Sequence, residues 1–374
     1  MSRIYNYRVV LVFLCIEIQA IIGLKIKFLN VVFRHGDRTP LGYGDEVFPT
    51  DPYVNETFPP YGQGQLTNQG KKRGYDLGVH IRQQYDEFLG EIYHPKMVRA
   101  LSSDRDRTRM SLQLAMAGAF PPSPAQQWNP NLLWQPVIVN YVSDPDFLLM
   151  SIESPRFAAE FKKSLQLPGV QKQLAEYSEL MRNLTVWTGK PIVKTKDVAA
   201  IYNYLMALSS MGLKLPEWTE GIFPDGSLLK ATVFHFRLCS YTNRLKALNG
   251  GIILKNFTDT MSSAINGSEP DLKMNLFGGH DHNIASLLDI LGVYEPYVPR
   301  YSSAIFVELL ESDDHVHYVR VYYYKGIPVD RVPVNMPGCG ELCPFDQFIE
   351  LFSDIFLCEE DLKYSKNETV EMNE

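Results

Sequence analysis

The stretch Ile26-Lys27-Phe28-Leu29-Asn30-Val31-Val32-Phe33 runs directly into Arg34-His35-Gly36-Asp37-Arg38-Thr39-Pro40. The first eight residues are apolar and β-rich, the composition of a buried strand. The next seven put a histidine between two arginines at that strand's end. A guanidinium stays charged at any working pH and presents donors in a fixed fork that fits the oxygens of an anion. Gly36 lets the backbone turn tightly beside a ligand, and Pro40 ends the loop. The heptad is read as an anion site at the carboxyl end of a strand.

Working outward, Leu276-Phe277-Gly278-Gly279-His280-Asp281-His282-Asn283 repeats that arrangement: an apolar strand, a glycine turn, then polar residues before a helix at Ile284–Leu291. In open α/β sheets ligands bind beyond the carboxyl ends of strands, near helix N-termini. Segments 34–38, 102–107 and 280–281 each put Arg or His there, so they are expected to converge. Thr67 is read as the N-cap of a helix to about Leu89, and Met97–Leu101 as a strand. Ser103 and Asp106 read as a capping pair opening a helix that ends near Pro121. Helices are expected at Pro155–Leu167, Val170–Thr185, Lys196–Ser210 and Leu228–Leu248. Strands return at Met274–Phe277, Ala304–Leu310 and Tyr318–Tyr324, the last two joined as a hairpin through Ser312-Asp313-Asp314. The fold expected is α/β: a central mixed sheet flanked by helices, with an inserted, mainly helical cap. Its parts are an α/β core over 24–140 and 236–357, a cap over 141–235, and a polar tail over 358–374.

The chain has 374 residues, 45% of them hydrophobic and 21% charged, with a formal net charge of −7. So acidic a chain is a poor candidate for general nucleic-acid binding, and affinity for an anion must come from a local cluster. Residues 1–23 read as a signal peptide: Arg3 and Arg8 precede a mostly apolar Val9–Ile22, with Ala20 and Gly23 near its end. Glu17 is atypical there, and a buried N-terminal helix or signal anchor is the competing reading. No later window approaches a membrane span, so no stable membrane anchor is expected. Five Asn-x-Ser/Thr sequons, at Asn55, Asn183, Asn256, Asn266 and Asn367, fit a secreted glycoprotein. Beyond Cys15 the cysteines are Cys239, Cys339, Cys343 and Cys358, and turn residues around Cys339 and Cys343 favour a short disulfide over a zinc half-site.

The heptad's pattern, Arg-His-Gly-x-Arg-x-Pro, resembles the active-site signature of the histidine acid phosphatases. So do His280-Asp281, Asp106-Arg107-Thr108, Leu66-Thr67-Asn68-Gln69-Gly70, Leu133-Trp134-Gln135-Pro136 and the Pro-Gly-Cys-x-x-x-Cys-Pro segment at 337–344. The resemblance covers roughly residues 26–357 and is greatest to the prostatic, lysosomal and venom branch. It implies a secreted, metal-independent acid phosphatase that hydrolyses phosphate monoesters through a phosphohistidine, with no cofactor. His35 would be the nucleophile and Asp281 the acid that protonates the leaving alcohol. Arg34, Arg38, Arg107 and His280 would hold the phosphate. A histidine attacks without a metal near neutral pH, and three guanidiniums match the charge spread over the equatorial oxygens. The resemblance also implies a homodimer of the prostatic type and a lysosomal lumen as the alternative destination.

The chain departs from the family at His282 and Asn283, where Thr is frequent, at Ser154, where relatives often carry a bridging Cys, and at Ala304. That leaves Cys358 to pair with Cys239 or stay free. Rival readings stand beside this one. His280 and Asp281 would serve as helix caps, or with His282 as ligands in a metal-dependent phosphatase. A phytase-like enzyme needs a broad positive funnel, yet residues 135–235 hold ten Lys/Arg and ten Asp/Glu. A secreted, non-catalytic phosphate-binding protein is the remaining class. His315 and His317 are read as solvated, Trp187 and Trp218 as structural, and Arg105 and Arg109 as ion-paired.

Overall fold

The structure, a computed structural model, describes residues 23–142, 148–326 and 331–357. In chain order the elements are β1 (Lys25–Arg34), α1 (Asn68–Leu89), β2 (Val98–Ser102), α2 (Asp106–Ala119) and β3 (Asn140–Tyr141). Six helices follow: α3 (Pro155–Ser164), α4 (Pro168–Glu176), α5 (Ser178–Thr188), α6 (Thr195–Ser210), α7 (Ser227–Leu238) and α8 (Asn243–Lys246). Then come α9 (Ile252–Asn266), β4 (Met274–Gly279), α10 (Asp281–Ile290), β5 (Ala304–Glu311), β6 (His317–Tyr324), β7 (Arg331–Pro333), β8 (Leu342–Pro344) and α11 (Phe345–Phe352).

The strands form one mixed sheet in the order β3-β2-β4-β1-β5-β6-β7, with β8 also on β6. From β3 to β1 the strands are parallel, and β5 onward they alternate. The near-continuous apolar run of β1 has its cause here, because a central strand is covered on both faces. Phe28 and Val32 face one layer with Phe257 of α9 and Ile284 and Leu288 of α10. Leu29, Val31 and Phe33 face the other, with Leu77 and Ile81 of α1 and Leu112 and Met116 of α2. A separate apolar cluster joins Leu184, Val198, Leu205 and Leu228 of α5 to α7 with Phe48, Ala285 and Val298.

Several local expectations need correction. The Val170–Thr185 helix is two, α4 and α5, meeting at Tyr177, and the Leu228–Leu248 helix breaks after Leu238. Helix α10 begins at Asp281 rather than Ile284. Thr67 does cap α1, its side chain accepting from Gly70 N–H. The Ser103/Asp106 pair does not cap α2: the helix follows Arg105 with no side-chain cap, and the Ser103 hydroxyl is spent on His280 and Thr108. Cys339 and Cys343 form the expected disulfide. Cys239 is free and buried, and burial pushes its thiol up to about 12. Cys358, Asn367, the signal-like segment and the polar tail lie outside the described residues.

Trp187 and Trp218 stack with centroids 5.6 Å apart, a packing role. Arg105 pairs with Glu153 at 3.0 Å and Arg109 with Asp104. His315 and His317 lie 3.1 and 3.5 Å from Glu311 at the hairpin. Among the described residues, no helix is long and apolar enough to cross a membrane.

Candidate active site

Register brings the motifs together. β4 lies between β2 and β1, with Gly278 opposite Ser102 and Gly279 opposite Arg34. The residues following those positions, 103–107, 35–38 and 280–281, therefore leave the sheet side by side. His35 is tied to both neighbours: its N–H donates to Gly279 O at 3.0 Å, and its carbonyl accepts from Ser302 N–H at 3.1 Å.

The heptad loop is pressed against the start of α1. A Cβ on Gly36 would stand 2.2 Å from Gly70 O, and one on Gly70 would stand 2.0 Å from Asp37 O. Only two glycines permit that approach. Asp37 O accepts from Thr67 N–H at 3.0 Å, and the Asp37 carboxylate meets Arg73 at 3.1 Å, so Asp37 holds the loop rather than a ligand. Gly36 N–H donates to Ser111 Oγ of α2 at 3.0 Å.

His35 is buried. Its Nδ1 is 2.8 Å from Gly36 O, and since a carbonyl only accepts, Nδ1 carries the hydrogen and Nε2 keeps its lone pair. Burial, then the charges of Arg107, Arg34 and Arg38, hold the imidazole well below its usual range, so it is neutral and nucleophilic. Arg107 Nε donates to His35 Nε2 at 3.2 Å. Burial beside Arg38 brings the Arg107 guanidinium down to about 10, still cationic at working pH.

Arg34 is 1% exposed. Its Nη1 donates to Pro299 O at 2.5 Å, Nη2 faces Asp281 Oδ2 at 3.0 Å, and Tyr301 lies under the guanidinium 4.3 Å away. Asn203 of α6 is 3.5 Å from Nη2. Arg38 is held by Glu46, with Nη1 3.0 Å from Oε2. Arg34 Nε, Arg38 Nε and Tyr301 Oη are buried with no hydrogen-bond partner among the described residues. Buried donors are normally satisfied, so three unmet ones around a neutral histidine mark a cradle for anion oxygens.

His280 stands edge-on to His35, centroids 5.6 Å apart, with its Nε2 2.8 Å from Ser103 Oγ. Its backbone N–H is capped by Asn283 Oδ1 at 2.8 Å, so Asn283 rather than Asp281 supplies the cap. Asp281 Oδ1 accepts from His282 N–H at 2.8 Å. Burial pushes the Asp281 carboxyl up, but Arg34 and then His282 outweigh it, and the group sits below the usual carboxylate range. The role of an acid that protonates the leaving alcohol instead calls for a carboxyl that takes up a proton readily. The missed factor is the direct Arg34 contact, which sequence spacing does not reveal. His280 Nε2 points at Ser103 and His282 Nε2 at Leu149 O, so these two nitrogens do not converge as metal ligands.

All six sequence-derived site residues are therefore neighbours. The sequence reading missed Glu46, Asn203 and Tyr301, which sit in a loop, a distant helix and a turn without motif. Beside Arg107 and Asp281 opens a cleft of about 350 Å³ whose walls mix Arg105, Arg107 and Lys196 with Asp45, Glu46 and Glu153, and include apolar Met150, Ile152 and Phe236.

Residues 25–324 match the family model of the histidine phosphatase superfamily (branch 2). Venom acid phosphatase Acph-1 of Apis mellifera is 42% identical over 340 residues, covering 90% of this chain and 87% of that protein. Prostatic acid phosphatase of Bos taurus is 32% identical, covering 88% and 85%. Lysosomal acid phosphatase of Homo sapiens is 30% identical, covering 87% and 77%. Among solved structures, the fold is similar to the Hafnia alvei phytase in complex with tartrate, at a TM-score of 0.63 and 17% identity, with 90% and 98% of the two chains covered. With its motifs gathered at one sheet edge and its match running through most of its length, the chain belongs to branch 2 of the histidine phosphatase superfamily.

Proposed function

We propose that this chain is a secreted acid phosphatase in which His35 accepts the phosphoryl group and Asp281 protonates the leaving alcohol. The chain is a phosphomonoesterase with a histidine nucleophile, as its family membership and its acid phosphatase relatives establish. The single observation that carries the residue assignment is the neutral His35, its Nδ1–H spent on Gly36 O, its Nε2 beside Arg107 and its ring within the field of Arg34 and Arg38. Nε2 attacks phosphorus in line. Arg34, Arg38 and Arg107 take the equatorial oxygens, whose charge rises in the transition state. The ester oxygen leaves on the Asp281 side and receives its proton, and water then reverses the sequence on the phosphohistidine. His280 adds a contact to phosphate once Ser103 yields its Nε2.

A general phosphomonoesterase fits better than a phytase, because the cleft walls carry both signs of charge rather than a basic funnel. The phytase structures share the fold at low identity and carry no argument about substrate. Mixing wild-type and His35→Ala protein with phosphorus-labelled nitrophenyl phosphate and quenching tests the assignment. Wild type should retain an acid-labile, base-stable label, and His35→Ala should retain none. A label that survives in the variant refutes it.

The division into a core over 24–140 and 236–357 and a helical cap over 141–235 belongs to the same reading, supported by the separate apolar cluster of α5 to α7. So does export through a signal peptide at 1–23, with secretion favoured over the lysosomal lumen. A homodimer is supported by apolar side chains exposed on the edge strand β3 and in the segment that leads into it, among them Trp128, Leu133 and Tyr141. Sedimentation of wild type against Leu133→Lys measures it.

A further inference from the structure

We infer that His282 and Asp281 share the single proton that the leaving group takes, with His282 a positioning residue that stores it beside the carboxylate. The inference rests on the proposed role of Asp281 and concerns a histidine that role leaves unexplained.

His282 is 7% exposed, at the first turn of α10. Its Nε2 is 3.1 Å from Leu149 O, and since a carbonyl only accepts, Nε2 must carry a hydrogen. Asn283 Nδ2 also donates to Leu149 O, at 3.1 Å, so both lone pairs of that carbonyl are in use. The ring is further fixed by stacking on His280, with centroids 5.4 Å apart and planes 9° apart. With Nε2 fixed as a donor, Nδ1 is the free ring nitrogen, 4.0 Å from Asp281 Oδ1: within ion-pair range and longer than a hydrogen bond. At that distance a charge on either group favours the opposite charge on the other, so the two titrate as a pair and a proton taken up there belongs to both rather than to either.

The charged and titratable groups facing the pair come from every side. Arg34 of β1 lies 3.0 Å from Asp281 Oδ2, and Arg38 of the heptad acts on Asp281 from further off. Glu153, ahead of α3, acts on His282, and His235 of α7 senses both members. His280 covers the other ring face. Burial pulls the His282 imidazole down, while Asp281, the Leu149 carbonyl and Glu153 pull it up, for a net position below the usual imidazole range.

The proton then follows a closed course. Substrate phosphate engages Arg34, loosening its hold on Asp281; the released carboxylate closes the 4.0 Å gap to His282 Nδ1 and takes its proton on Oδ1. When the phosphorus–oxygen ester bond breaks, its electron pair stays on the alcohol oxygen, which takes that proton. The pair is left as carboxylate and neutral imidazole. Water attacking the phosphohistidine gives its proton to Asp281, which restores the pair as phosphate departs.

The test is the pH profile of kcat for an alkyl phosphate and for nitrophenyl phosphate, in wild type and in His282→Gln. Gln keeps a donor for Leu149 O but has no basic nitrogen. The alkaline limb for the alkyl ester should move about one pH unit acidward, with kcat at pH 6 falling ~10-fold and the nitrophenyl loss several-fold smaller. Superimposable profiles, or equal losses on both esters at every pH, overturn the inference. Histidine-labelled nitrogen NMR of wild type gives a second reading that no misfolded variant can spoil. Nε2 of His282 should stay protonated from pH 4 to 8 while Nδ1 loses its proton within that range. A bare Nδ1 throughout, or a hydrogen on Nδ1 with Nε2 bare, overturns it. If wild type fails to form the phosphohistidine label, the proposed function falls first and this inference with it. If the label forms and the His282 readings fail, only the inference falls.

Discussion

Arg34 and Asp281 meet at 3.0 Å, so the end of β1 and the start of α10 are joined by an ion pair inside the site that both serve. That contact holds the Asp281 carboxyl below its usual range, and it sets an order of events. In the proposed mechanism, phosphate competes for Arg34 before the carboxyl carries a proton.

The first prediction concerns Asp281→Asn. An alkyl phosphate leaves as a strongly basic alkoxide unless a proton arrives as the bond breaks, whereas nitrophenolate leaves unaided. kcat for the alkyl ester should fall ~100-fold or more, and for nitrophenyl phosphate far less. Equal losses on both, together with a lowered melting point, would remove Asp281 from the catalytic groups.

The same pair links stability to pH. The folded Asp281 pKa is depressed, so its contribution is full above the unfolded value of about 4 and is lost as pH falls through the lower folded value. Melting temperatures of wild type and Asp281→Asn should therefore differ at pH 6 and converge towards pH 2 as Asp281 is protonated. A constant difference over that range contradicts the linkage.

Gly70→Ala probes the contact between the heptad loop and α1. Its Cβ would stand 2.0 Å from Asp37 O, which is backbone and cannot swing aside. The loop must shift by about an ångström, and kcat should drop ~100-fold as His35 and Arg38 lose alignment. Gly74→Ala in the same helix meets nothing nearer than 3.4 Å and serves as the control. It should keep full activity and gain up to about 1 kcal/mol of stability. Similar kcat values for the two variants would show that the glycine contact does not set the loop.

Much of this was legible in the sequence, for a physical reason. The proposed catalytic groups sit at strand ends beside glycines, where local pattern and chemistry coincide. The partners that tune them were not legible. Glu46, Tyr301 and Asn203 reach the site from a loop, a turn and a helix whose patterns say nothing of anions. Helix boundaries failed where tertiary packing rules: Ser103 is drawn to His280 instead of capping α2. Tyr177 stacks on Phe234 at the break between α4 and α5.

Glu308 shows how the sheet carries charge without using it for catalysis. It is fully buried on β5 and accepts from Tyr85 Oη at 2.7 Å, Arg320 Nε at 2.8 Å and Arg331 Nη1 at 3.1 Å. Glu308→Ala strands two arginines beside an apolar layer and should cost about 3–5 kcal/mol. Glu308 pairs with Leu29, five residues along β1 from Arg34, roughly 17 Å away. In the folded fraction, kcat for nitrophenyl phosphate should therefore be unchanged. Urea titration and kcat measured below the transition decide it, and a large loss of kcat would tie Glu308 to the site.

Glycan occupancy tests the secreted reading and the structure together. Asn55, Asn183 and Asn266 are exposed, and Asn266 Oδ1 already turns back to accept Ser268 N–H at 2.9 Å. Asn256 differs. It lies inside α9 with its Oδ1 buried, and Thr258 of the same sequon is buried too. A glycan there would have to open the buried setting of Asn256 Oδ1 and Thr258. Chain recovered from the medium of secretory cells should begin near Ile21 or Leu24. Glycosidase treatment in heavy-oxygen water should mark Asn55, Asn183 and Asn266, and leave Asn256 unmarked. Peptide mass mapping reads all four at once. A retained Met1 with no marked asparagine defeats the secreted reading, while heavy label at Asn256 alone would mean that α9 is glycosylated before it packs.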